Sequence, residues 1–160
     1  MKGRPARLAK APLRVDIGRR TAAAMPSARA IGEWAAAALG ARAFGKEIAV
    51  QVVTPAAMRR LNRHFRGKDK PTNVLSFPST VASGVFPQPL GDIVVCPAVL
   101  RREARDQGKP ERAHWAHLVV HGTLHLVGYD HEDDADALRM ERREISVLRR
   151  LGIPNPYRSP

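Results

Sequence analysis

Apolar and polar positions alternate through LRVDIG (Leu13 to Gly18), the pattern of a short strand. The period turns helical after Ser27, which can cap a helix through IGEWAAAAL that stops near Gly40. KEIAVQVV (Lys46 to Val53) predicts a second strand. Thr54 and Pro55 then supply an N-cap and a first helical residue, and that helix ends before Gly67. NVLSF (Asn73 to Phe77) is a third extended segment, closed by Pro78. A loop rich in Ser, Gly and Pro covers Ser79 to Pro89, and LGDIVVC (Leu90 to Cys96) reads as a fully buried strand. Helical periodicity returns from Pro97 to Gln107 and stops at Gly108. Pro110 opens a longer helix, ERAHWAHLVVHGTLHLV, ending at Gly128, and a last helix runs from Asp133 to the neighbourhood of Leu151.

Strands mixed with helices, in no strict alternation, predict an α+β domain: a small mixed sheet of about four strands packed with about five to six helices. The chain shows neither an internal repeat nor a linker long enough to divide it. Residues 13–154 therefore read as one domain, preceded by a flexible basic tail (1–12) and followed by a Pro-rich tail (155–160). A length of 160 residues with 44% apolar content is enough to bury a core without disulfide staples.

Charge narrows the choice of partner. There are 27 Lys and Arg against 15 Asp and Glu, a formal net charge of +12. The basic residues fall in Lys2 to Arg20, Arg59 to Lys70, Arg101 to Arg112 and Arg139 to Arg150, so the charge belongs to the domain as well as to its leader. Such a surface favours a polyanion through counterion release and steering. The single cysteine, Cys96, lies in the apolar run IVVC and reads as a small buried hydrophobe suited to a reducing compartment. No stretch approaches the ~18 apolar residues of a membrane span, and MKGRPARLAKAPLR lacks the apolar segment of a secretory signal. The expectation is a cytoplasmic protein with no membrane partner.

The chemistry concentrates in the longest helix. His114, His117, His121 and His125 share roughly one face of it. His121 and His125 are four apart, which stacks two imidazoles one turn above each other, close enough to hold one Zn²⁺. Gly128 can end the helix in a left-handed turn and bring His131 back as the third ligand. The string HGTLHLVGYDH thus has the ligand frame H-x-x-x-H-x-x-G-x-x-H of metzincin proteases, with Gly122 where those enzymes carry a Glu general base. Three neutral imidazoles and an open fourth position still make a catalytic site, because the metal itself lowers the pKa of water. His114 and His117 read either as substrate contacts or as structural residues. Asp130 can orient a ligand, act as base or cap the last helix.

A basic turn precedes the third strand. FRGKDKPTNVLSF (Phe65 to Phe77) gathers Arg66, Lys68 and Lys70, a set that could grip phosphate but that, taken alone, reads first as a solvated charge run. Together with this turn, LGDIVVC, EARDQGKPERAHWAHLVVHGTLHLVGYDHEDD (Glu103 to Asp134) and Met140-Glu141 occur in one order and spacing, and the chain from about residue 46 to 157 resembles the YbeY endoribonucleases. Residues 1–45 carry no matching motif, and Phe65 stands where the resemblance leads one to expect a Tyr.

The resemblance implies a single-strand-specific, metal-dependent endoribonuclease acting in ribosomal RNA maturation, at the 3′ end of the 16S species, and in ribosome quality control. It implies one Zn²⁺ per chain on His121, His125 and His131, Arg66 as the functional arginine, and ribosomal RNA and the small subunit with its proteins as partners. Lys68, Lys70 and His117 join these as candidate substrate contacts. Two rivals keep a place: a zinc-containing ribosome assembly factor without catalysis, and a metalloprotease lacking the usual Glu base.

Overall fold

The computed structural model describes residues 11–159, and the predicted leader (1–12) therefore falls almost wholly outside the described residues. Strands β1 (Arg14–Arg19), β2 (Lys46–Val52), β3 (Val74–Pro78) and β4 (Gln88–Val95) form one sheet in the order β1-β2-β4-β3. β1 pairs parallel with β2, β2 parallel with β4, and β3 antiparallel with β4. Five helices surround it: α1 (Ala28–Leu39), α2 (Pro55–Arg66), α3 (Pro97–Asp106), α4 (Glu111–Leu126) and α5 (Asp134–Arg150). This is the expected α+β domain.

Local chemistry accounts for most boundaries. Ser27 Oγ accepts the Ala30 amide and Thr54 Oγ1 that of Ala57, each satisfying an amide that the helix leaves orphaned at its N-terminus. Gly67, at φ 70°, closes α2; its amide bonds to Arg63 O and the Lys68 amide to Asn62 O, a left-handed cap that needs glycine. The last helix is capped by Asp133, whose carboxylate accepts from the Asp136 amide. Asp130 is therefore not the cap; its Oδ1 accepts from the His131 amide.

α4 is the central element. Trp115, Ala116, Leu118, Val119, Val120, Leu124 and Leu126 are buried, so the helix is apolar nearly all round, as a helix covered on several sides must be. It lies against β3 and β4 on one side and against α1, α3 and α5 on others. Trp115, Ile31, Trp34, Ile48, Ile93 and Leu100 fill the main core. A smaller cluster of Val53, Met58, Leu75, Val94, Cys96 and Val99 includes the buried free cysteine.

Two sequence expectations need correction. LGDIVVC is not buried throughout: β4 starts earlier, at Gln88, and full burial begins only at Ile93, with Asp92 exposed. Gly91 still lies against Leu126 of α4 and Leu90 packs on the core, so the exposure is confined to Asp92. The Pro-rich end does not hang free either. Ile153 packs on the core, Lys109 Nζ donates to Pro156 O, and the Tyr157 hydroxyl donates to the carboxylate of Glu144 on α5.

Candidate metal centre

His121 and His125 lie one turn apart on the half-buried edge of α4, with ring centroids 4.6 Å apart. After α4 the chain reverses through Gly128, at φ 95°, with the Tyr129 amide bonded to Leu124 O. That reversal brings the exposed His131 back, its ring 4.9 Å from that of His125 and 5.9 Å from that of His121. One nitrogen from each of the three falls within 4.8 Å of the others, so together they could hold a metal ion.

The hydrogen bonds orient the rings. His125 Nδ1 lies 2.8 Å from Tyr129 O, a carbonyl that can only accept, so Nδ1 carries the hydrogen and Nε2 faces the cluster. His121 Nδ1 donates to Glu144, which again turns Nε2 inward, 3.1 Å from His125 Nε2. Two ligands of one tetrahedral zinc stand ~3.3 Å apart at ordinary Zn–N lengths. The donor set and its spacing therefore fit a divalent metal. Burial first, then the neighbouring His121 and His131, hold His125 down to about 4, which leaves it neutral and available as a ligand at pH 7.

The basic turn meets the histidines across a cleft of about 340 Å³ lined by Arg66, Lys68, Lys70, Asn73, Ser76, His121, His125 and His131. Arg66 is the last residue of α2, one residue before the left-handed Gly67. The loop beyond is pinned twice: the buried Asn62 donates to Lys70 O at 2.8 Å, and Arg59 makes a two-pronged pair with Asp69 at 2.8 and 2.9 Å. Lys68 and Lys70 stay exposed on that pinned loop. Phe65, 56% exposed, packs edge-on against His64 and Phe77, so its aromatic ring here needs no hydroxyl partner.

A second cavity of about 660 Å³ opens beyond His121, lined by Asn73, Glu103, Gln107, His117 and Tyr157 among others. His114 is buried away from the three-histidine cluster. Its Nε2 lies 2.8 Å from Glu103, which also accepts from Asn73, so His114 ties α3, α4 and the start of β3 together. Burial pushes the Glu103 carboxyl up, but the bonds from His114 and Asn73 outweigh it and leave the group below its ordinary range. His117 is half-buried, with Nε2 3.5 Å from Glu144.

The family model described as Endoribonuclease YbeY matches residues 21–152. The chain belongs to that family. It is similar to the Endoribonuclease YbeY of Halorhodospira halophila, 51% identical over 138 residues that cover 84% of this chain and 90% of that one. The relative from Methylococcus capsulatus is 51% identical over 144 residues, covering 90% and 95% of the two chains. Among solved structures, the solution structure of TM1509 from Thermotoga maritima superposes with a TM-score of 0.55 at 25% identity, covering 88% of this chain and 91% of that one.

YbeY membership and the packing of Gly122 point the same way on the protease rival. A Cβ at Gly122 would stand 2.9 Å from Ile93 Cγ2, 3.1 Å from Ser76 Oγ and 3.4 Å from Val74 Cγ2, and Ser76 Oγ donates to Gly122 O at 2.9 Å. The position where a metzincin carries its Glu faces the sheet here and has no room for a side chain. Gly122→Ala is expected to lower stability by about 1–3 kcal/mol, the cost of overpacking a close helix–sheet contact. Urea unfolding of the metal-loaded chain checks this; a variant as stable as the parent would mean that the contact is looser than described.

Sequence reasoning missed Glu144 and Tyr157. Glu144 is fully buried, and its carboxylate meets His121, His117 and Tyr157. Burial alone would raise it; the hydrogen bonds from His117 and His121 prevail and hold it at about 2. Burial and then the bond to Glu144 push the Tyr157 hydroxyl up, so it remains a donor at every ordinary pH.

Proposed function

We propose that the chain is a zinc-dependent, single-strand-specific endoribonuclease of ribosomal RNA maturation, working in the cytoplasm on the small ribosomal subunit and in ribosome quality control. One observation carries this reading: three converging imidazoles and three cationic side chains share the walls of one cleft. The names of its relatives and the net charge of +12 support RNA as the substrate. Among the described residues no helix is long and apolar enough to cross a membrane.

Zinc on His121, His125 and His131 would act as a Lewis acid toward a phosphoryl oxygen and lower the pKa of water. Arg66 presents a planar two-pronged donor to the oxygens of the same phosphate, where negative charge builds up as the phosphodiester breaks. Lys68 and Lys70 hold neighbouring phosphates as point charges. His117, in the wall of the second cavity, would meet RNA on the other side of His121. Contacts of this kind carry little base information, so the cutting site is set by the ribosomal context.

A non-catalytic assembly factor would need a closed structural site, which ordinarily takes four protein ligands. Among the described residues the His121, His125 and His131 group has three. Cleavage of a structured ribosomal RNA fragment with a single-stranded tail, compared with its fully paired counterpart, tests the proposal directly; equal cutting of both, or of neither, defeats it. RNA affinity should fall steeply with salt. Three phosphate contacts would give a slope of log K against log salt near −2 on single strands, and a flat response between low and moderate salt would count against phosphate binding by this surface.

A further inference from the structure

The C-terminal segment reaches the metal cluster through a two-step chain of hydrogen bonds. Glu144 sits on the inner face of α5 with 0% exposure. A carboxylate taken wholly out of water costs several kcal/mol unless both oxygens are bonded. Here they are: His121 Nδ1 donates to Oε1 and the Tyr157 hydroxyl to Oε2, with His117 Nε2 3.5 Å from Oε2. Among the described residues no Lys or Arg pairs with Glu144, so its partners are these three side chains.

An ionised carboxylate only accepts, so it dictates where His121 keeps its hydrogen: on Nδ1, with Nε2 presented to His125 and His131. The Tyr157 hydroxyl in turn fixes the plane of the carboxylate, since without it Oε2 keeps only the long contact to His117. Tyr157 is itself held by its segment. Its amide bonds to Asn155 Oδ1 at 2.9 Å, and the preceding carbonyl, Pro156 O, accepts from Lys109 Nζ.

We propose that the C-terminal segment is a working part of the metal centre, with Tyr157 and Glu144 as positioning residues that hold the His121 ring in its ligating orientation. The proposal rests on the metal reading given above. It assigns to residues 155–159 a role in metal affinity, exerted at a distance from the ion.

Partners of this kind typically govern metal affinity by ~10–100-fold. The test uses the full chain, loaded with Zn²⁺ and, separately, with Co²⁺. Competition with a chromophoric chelator gives the affinity, and the visible absorption of bound Co²⁺ reports ligand geometry. Glu144→Gln should weaken Zn²⁺ by ~10–100-fold and change the Co²⁺ envelope. Tyr157→Phe keeps the ring and removes only the hydroxyl; the metal-free chain stays folded but melts lower, because Glu144 Oε2 loses its donor, and the folded variant should weaken Zn²⁺ toward the lower end, ~10-fold, with a changed Co²⁺ envelope.

If Glu144→Gln does not fold, Tyr157→Phe decides alone. Unchanged affinity and spectrum in Tyr157→Phe overturn the proposal and leave the three-histidine reading intact. A parent chain that takes up no metal overturns that reading and the proposal with it. His117, His121 and Glu144 also lie close enough to hold an ion themselves. A second equivalent of Zn²⁺ in the parent, lost in Glu144→Gln, would make Glu144 a ligand and overturn its positioning role.

Discussion

His121→Ala is expected to abolish metal binding and RNA cleavage together, the metal content falling from about one per chain to near zero and cleavage by at least ~10³-fold. Two imidazoles cannot hold a divalent ion against water as three do, and the chemistry that the ion supplies goes with it. The variant has a structural cost that must be separated from the functional one. Its loss strips the fully buried Glu144 of the donor to Oε1. Leaving a buried charged oxygen without its donor costs about 3 kcal/mol. His131→Ala supplies the control, because His131 is exposed and its ring touches no buried charge. It should lose metal and cleavage to the same degree while melting like the metal-free parent. The readouts are metal content and cutting of a structured, single-strand-tailed ribosomal RNA fragment, with all proteins prepared in parallel. Full cleavage by metal-free His131→Ala would end the metallo-ribonuclease reading. Zinc in the parent without cleavage, free or ribosome-bound and at any salt, would put the assembly-factor reading in its place.

The parts of the site that were legible in the sequence are those encoded locally. Helix caps at Ser27 and Thr54 depend on a side chain reaching an amide three residues on, and His121 and His125 depend only on the helical period. His131 follows from the glycine turn at Gly128. Arg66 is a different case. Its neighbours make it look like one cation of a solvated run, and only the resemblance singled it out; the shared cleft with the histidines depends on how α2, β3 and α4 pack.

Glu144 lies in the basic stretch ERREIS, where a carboxylate ordinarily faces water, and its two hydrogen-bond donors, Tyr157 and His121, are 13 and 23 residues away. A signal was nevertheless present. Met140, Glu144, Val147 and Leu148 are the buried residues of α5, and their spacing is that of one helical stripe. An acid on an apolar stripe must find a buried partner, and the only question left open is which. Tyr157 carried no such signal, because Pro-rich composition predicts a tail and says nothing of a hydroxyl docking onto the core. The overestimated burial of β4 has a similar origin: an apolar run fixes which residues prefer the core, and says nothing of the face on which the polar Asp92 within it meets water.

Arg66→Ala should leave the metal and the fold in place and lower the rate of cleavage by ~10²–10³-fold, the usual cost of removing one donor aimed at developing charge. Among the described residues the Arg66 side chain makes no hydrogen bond or ion pair, whereas Arg59 on the same helix is tied to Asp69. Its removal therefore breaks no stabilising contact, and a surface change of that kind alters stability by about 0.5 kcal/mol or less. A group that acts on charge formed only as the phosphodiester breaks lowers kcat with little change in KM. Lys68→Ala and Lys70→Ala should behave oppositely, weakening RNA binding and flattening its salt dependence while the rate at saturation holds. Arg66→Lys separates charge from shape: it keeps the cation and loses the planar fork, so it should recover only part of the rate. If cleavage by Arg66→Ala instead matches the parent at saturating RNA, the arginine contributes no more than binding, and the charge on the phosphoryl oxygens must be met by the metal and the lysines alone.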